Sequence, residues 1–153
     1  MNLVGRLPNV RYYLLGVVAL MLSACSLFSP SNSDVYVLVS VSGASLPTTV
    51  ISVTTDDGSL HEVQAVSGRL TIQESGHFSK EYTNRTLENG IPVDTAAVES
   101  SGTFVKTDTT LIIHFKPPLQ FANSYTYTIL HGGLRLRGVE GFFPPRTFEY
   151  VKQ

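Results

Sequence analysis

The chain has one cysteine, Cys25, and no tryptophan among its 153 residues. A single cysteine excludes an internal disulfide, although exported proteins often rely on them. No acidic residue precedes Asp34, and no run of like charge occurs anywhere. That leaves neither nucleic acid nor an anionic membrane surface as an expected partner. The apolar run Tyr12–Leu22 is well short of the roughly 20 residues that a membrane-crossing helix needs. After Cys25 no apolar stripe of helical period and length is found.

The first residues form a leader. Arg6 and Arg11 supply its positive charge, Tyr12–Leu22 its apolar centre, and Ser23 and Ala24 the small residues before a cut. A cleaved signal peptide over 1–24 is expected. The sequence Leu22-Ser23-Ala24-Cys25 resembles the lipobox of bacterial lipoproteins. The resemblance implies that Leu22, Ser23 and Ala24 are read by the signal peptidase and that Cys25 becomes the lipidated amino terminus. Such a cysteine carries diacylglycerol and commonly a further acyl chain such as palmitate. Two or more chains hold a protein firmly to a membrane, at about 0.8 kcal/mol per buried methylene. Ser26, rather than an aspartate, is compatible in the enteric type with outer-membrane delivery. The alternative is an ordinary secretory leader cut after Ala24, with Cys25 a free thiol.

Removal of Arg6 and Arg11 leaves nine basic against twelve acidic residues, a formal charge of −3 on Cys25–Gln153. Residues 25–33, rich in Ser, Asn and Pro, are expected to be the lipidated cysteine and a flexible tether. Residues 34–153 are expected to form one domain.

Within that domain apolar residues recur with a period of two, the mark of half-buried strands. Val35, Val37, Val39 and Val41 are expected to share the inner face of the first strand. Val50–Val53 is the second, ended by Asp56-Asp57-Gly58. The third runs from about His61 to Gln73 with a break at Ser67-Gly68. Ser75-Gly76 turns into Phe78–Tyr82. Thr86–Asp94 is expected to be a loop, followed by a strand over Thr95–Lys106. Leu111–Phe115 should end at Pro117-Pro118. Tyr125–Ile129 leads through Gly132-Gly133 to a strand with Leu134 and Leu136 inward and Arg135 and Arg137 outward. Gly138–Pro145 is expected to be a loop before Thr147–Val151. About eight short strands in hairpin succession imply an all-β, antiparallel up-and-down barrel, either filled by side chains or holding one small ligand.

Several stretches, among them Gly68-Arg69-Leu70-Thr71-Ile72, Gly102-Thr103-Phe104 and Gly133-Leu134-Arg135-Leu136, are similar to small bacterial lipocalin-like domains. The resemblance implies the fold rather than a function, since such folds host many tasks.

Chemistry is sparse. His61, His77, His114 and His131 have no metal-ligand spacing and are expected at the surface. The serines lack a nucleophile-elbow context. No catalytic residue, metal or other cofactor is assigned. Arg135, Arg137 and Arg146 would form an anion site only if they gathered at one rim. The aromatics Phe104, Phe115, Tyr125, Tyr127, Phe148 and Tyr150 are expected in the core, and Phe142-Phe143 as a partner or membrane contact, or a plug of the barrel end. The functional expectation is a membrane-anchored envelope lipoprotein. Its barrel would be a non-catalytic binding module for a small apolar or amphipathic ligand, which requires a cavity. The alternative is a structural or protein-interaction module acting through its loops, with its protein partner unidentified.

Overall fold

A computed structural model describes residues 32–119, 122–141 and 144–153. The lipobox Leu22, Ser23, Ala24 and Cys25, and the pair Phe142-Phe143, lie outside the described residues. Ten strands follow one another: β1 Ser33–Val41, β2 Ala44–Ser45, β3 Thr48–Thr54, β4 Leu60–Gln73, β5 His77–Glu88, β6 Ile91–Lys106, β7 Thr110–Leu119, β8 Ala122–Leu130, β9 Arg135–Glu140 and β10 Arg146–Lys152.

Every pairing is antiparallel, and β1 pairs with both β10 and β4. Strands β1 and β4–β10 therefore close an eight-stranded barrel in up-and-down order. Closure removes the edges that an open sheet would leave to water and neighbours. The early part of β4 leaves β1 and takes β3 instead, from Thr48↔Ala65 to Thr54↔Leu60. The change falls at a bulge between Ala65 and Ser67, beside the break that Ser67-Gly68 signals in the sequence.

The two ends differ. Ser33 pairs with Gln73, so the described chain begins at the end of the barrel where β4 finishes. We call this the proximal end. It is capped from within by Tyr36, whose hydroxyl donates to the Gly133 carbonyl at 3.0 Å. Leu60 and Asn89 meet at the opposite, distal end, where Asn89 Oδ1 accepts from the Leu60 amide at 2.9 Å. The 14 residues of β4 run between the two ends, about 43 Å of chain at the strand rise.

Five local expectations are corrected. The inner face of β1 is Tyr36, Leu38 and Val41; of the four valines expected there Val41 alone is buried, Val35 and Val37 are half-buried and Val39 is 41% exposed. The register shift between Leu38 and Ser40 is a bulge, which changes the parity of the strand midway. Leu134 is exposed while Leu136 is buried, because Leu134 closes the 3-10 turn His131–Gly133 before β9 begins. Thr86–Asp94 is no loop: β5 and β6 continue through it, joined by Asn89-Gly90 with φ of 51° and 80°. Positive φ at both central residues is what a two-residue hairpin with the native strand twist requires. Finally, β7 runs past Pro117-Pro118 to Leu119, and Gly138–Glu140 belongs to β9, which shortens the expected loop to 141–145. The prolines are tolerated because β7 makes no ladder with β8 between His114 and Leu119.

Candidate functional site

The lumen is packed with side chains over its proximal two-thirds. Tyr36, Leu70, Phe78, Leu111, Ile113, Tyr127, Leu136, Phe148 and Tyr150 are all at most 2% exposed. Phe78, Phe115 and Tyr125 form an edge-to-face chain, with ring centroids 5.5 and 5.1 Å apart. Tyr127 and Tyr150 meet at 84°. Such edge contacts add about 0.5–1.5 kcal/mol per pair to simple burial. The aromatics expected in the core are there, Phe104 and Tyr125 as partly buried members at its margin. Gly102 and Gly138 face the same interior, where neighbouring backbone and aromatic rings leave no space for a side chain.

One polar centre interrupts this packing. Lys80 on β5 and Glu140 on β9 are 7% and 2% exposed, and they form an ion pair across the barrel. Both lie at inward parity: Lys80 stands between Phe78 and Tyr82, and Glu140 continues Leu136 and Gly138. Glu140 Oε1 also accepts from the Tyr127 hydroxyl at 2.7 Å and the Tyr150 hydroxyl at 2.9 Å. The Lys80 ammonium lies 5.1 Å from the centre of the Tyr125 ring and 5.7 Å from that of Phe148. A buried ion pair costs desolvation on both sides, and here the tyrosine donors and ring faces offset it. Burial, and then the negative charge of Glu140, push the Tyr127 and Tyr150 hydroxyls well above the usual tyrosine range. Neither tyrosine can serve as a base at neutral pH. Three donors converge on the carboxylate, Lys80 on one oxygen and the two tyrosine hydroxyls on the other.

Above it, at the distal end, the described residues line a small pocket. The space bounded by Lys80, Tyr82, Val98, Ser100, Phe115, Tyr125 and Glu140 amounts to about 80 Å³. Arg146, the strand partner of Glu140, faces the mouth too, and its guanidinium donates to the Val50 carbonyl at 3.1 Å. Asn84 Oδ1 and Arg146 Nε are buried and make no hydrogen bond among the described residues. The three arginines do not gather. Arg135 and Arg137 lie on the outer wall, where Arg137 pairs with Glu149 at 2.6 Å, while Arg146 is turned inward at the other end.

The histidines bear out the surface expectation in three cases, since His77, His114 and His131 are exposed; His61 is half-buried. Among the described residues no three His, Cys, Asp or Glu side chains are grouped to hold a metal.

The second feature is on the outside. Beyond the barrel wall β5 and β6 continue as a projecting arm toward the Asn89-Gly90 turn, and residues 91–99 of β6 are all exposed. Ile91 is 67%, Val93 56% and Val98 50% exposed. β6 pairs with β7 only from Gly102 to Lys106. The edge of β6 before Gly102 therefore faces away from the sheet without a strand beside it among the described residues. Sequence reasoning placed a loop over Thr86–Asp94 and a strand over Thr95–Lys106, and missed that this strand begins at Ile91 and has an open edge. The Asn89-Gly90 pair was the available signal. No protein-family model matches the chain, and no curated protein matches it.

Proposed function

We propose that this is a lipid-anchored lipoprotein of the bacterial envelope, held through Cys25, with the outer membrane as its destination, and that its barrel is a non-catalytic interaction module. It engages a partner with the β5–β6 arm. The observation that carries this reading is the position of the arm. It projects from the distal end, about 43 Å of strand from the residue at which the tether joins β1. Among the described residues the arm also exposes the apolar side chains Ile91, Val93 and Val98, where polar residues would serve solubility better.

A small apolar or amphipathic ligand in the lumen is the second reading. Ligand pockets usually enclose about 300–1,000 Å³. The distal mouth has about 80 Å³, and its polar centre is already satisfied by its own side chains. This weighs for the arm.

Two measurements test the reading. A photo-crosslinking residue at Ile91 should yield a reproducible product in whole cells that the same residue at Val139, on the barrel wall, does not. Identical products from both positions, or none from Ile91, would overturn it. Metabolic labelling with a palmitate analogue should be lost in Cys25→Ala; a variant that still labels refutes the anchor.

A further inference from the structure

The edge of β6 has a definite recognition chemistry, and it deepens the interaction reading on which it rests. From Asp94 to Thr103 the β5–β6 register is unbroken, and the Phe104 amide donates to Gly76 on the β5 side at 3.1 Å. Amides and carbonyls of successive strand residues alternate in direction. Even-numbered residues of β6 therefore point their backbone at β5, and Thr95, Ala97, Glu99 and Ser101 point theirs outward, with no strand beside them among the described residues. An extended polypeptide backbone matches a row of donors and acceptors at that spacing and replaces the water that otherwise meets them.

Of these four residues Glu99 alone is charged. Arg69, Glu81 and Glu99 stand directly opposite one another across β4, β5 and β6. Glu81 and Glu99 are both exposed and paired across strands, an arrangement that is unfavourable for like charges. The next seat in the row, beyond Glu99, lies on the strand that is absent. We infer that the free edge of β6, from Thr95 to Ser101, receives an extended strand of a partner polypeptide that places a lysine or arginine opposite Glu99.

A second copy of this chain fits less well. Residues 91–101 contain no lysine or arginine. Antiparallel self-pairing about Ala97 or its neighbours would set Glu99 against Thr95, Ala97 or its own counterpart, leaving the carboxylates uncompensated.

The full chain in detergent can be titrated, by fluorescence anisotropy, with a short labelled peptide alternating lysine and valine and with its glutamate–valine counterpart. The lysine peptide should bind about tenfold more tightly. Glu99→Lys should reverse that order. Ala97→Pro should abolish binding, since its ring would occupy the position of an amide that points off the sheet and leave the pairing with β5 intact. Circular dichroism checks that the barrel is retained, and Glu99→Lys decides the matter by itself if it is not. Equal binding of both peptides, or binding indifferent to Glu99→Lys, overturns the inference, as does an Ile91 crosslink to a second copy of this chain. An Ile91 crosslink to another protein that survives both substitutions overturns strand addition and leaves the interaction reading standing. Loss of the Ile91-specific crosslink in the unaltered chain overturns the interaction reading itself.

Discussion

The hydroxyl of Tyr150 donates to Glu140 Oε1 at 2.9 Å, joining neighbouring strands inside the barrel at its one buried carboxylate. Tyr127 reaches the same oxygen from the other side, and Lys80 the second oxygen from across the lumen. The cluster ties four strands together, and it is the point where stability is most open to attack.

Removing one charge of the pair should therefore cost more than removing both. Glu140→Gln keeps an acceptor for the two tyrosines but leaves the Lys80 ammonium buried without its counter-charge. It should destabilise the fold by about 3–5 kcal/mol. Adding Lys80→Met should recover much of that loss. Urea denaturation of the two single variants and the double variant measures the difference; additive losses would refute the coupling.

The same cluster sets the alkaline limit. In the unfolded chain a tyrosine loses its proton near pH 10. In the folded chain Tyr127 and Tyr150 hold theirs to well above that. Above about pH 10 the folded state thus binds more protons than the unfolded one, and stability falls as pH rises. Phenolate absorbance should show these two tyrosines titrating only as the protein unfolds. Smooth titration with the fold retained would contradict their burial.

Acid acts at the proximal end. Asp34 accepts from Lys152 at 2.6 Å and lies 3.7 Å from Lys106. The hydrogen bond from Lys152, opposed in part by desolvation, holds the Asp34 carboxyl below the usual carboxylate range. Its contribution is complete above the unfolded value near pH 4 and is lost as pH falls through the lower folded value. Asp34→Asn should remove about 0.5 kcal/mol at neutral pH and flatten the acid limb of the stability profile. An acid limb unchanged in the variant would show that the pair contributes nothing.

Gly102 offers a test of packing. A methyl group there would collide with the carbonyl oxygen of His114 and with the Phe78 ring. The first of these is backbone and cannot rotate away. Gly102→Ala should cost about 3 kcal/mol, at the upper end for overpacking. Gly43→Ala, in an open turn with φ of 82°, meets no atom and should show backbone strain alone, about 1 kcal/mol. Thermal denaturation ranks the two, and equal losses would refute the account.

Much of the architecture was legible because strands advertise themselves by alternation. Tyr125–Ile129 and Thr147–Val151 alternate, and both are strands of the barrel. Where a bulge intervenes, alternation misleads: the shift near Val39 hid Tyr36 and Leu38 as the inner face, since a bulge leaves no mark that composition can carry. The polar centre had a faint signal in Phe78-x-Lys80-x-Tyr82, a cation at inward parity. Its meaning depended on Glu140, a residue that the sequence alone assigned to a loop.

What the sequence determined by itself was the all-β class, the hairpin order and the expectation of a lipid on Cys25, because these rest on local period, turn residues and a contiguous motif. What only the tertiary structure decided was that the lumen is packed around Lys80 and Glu140 and that β6 outruns β7. Both depend on which residues stand opposite one another across strands. That register is set by bulges and closure acting over the whole sheet, and no single stretch of the chain contains it.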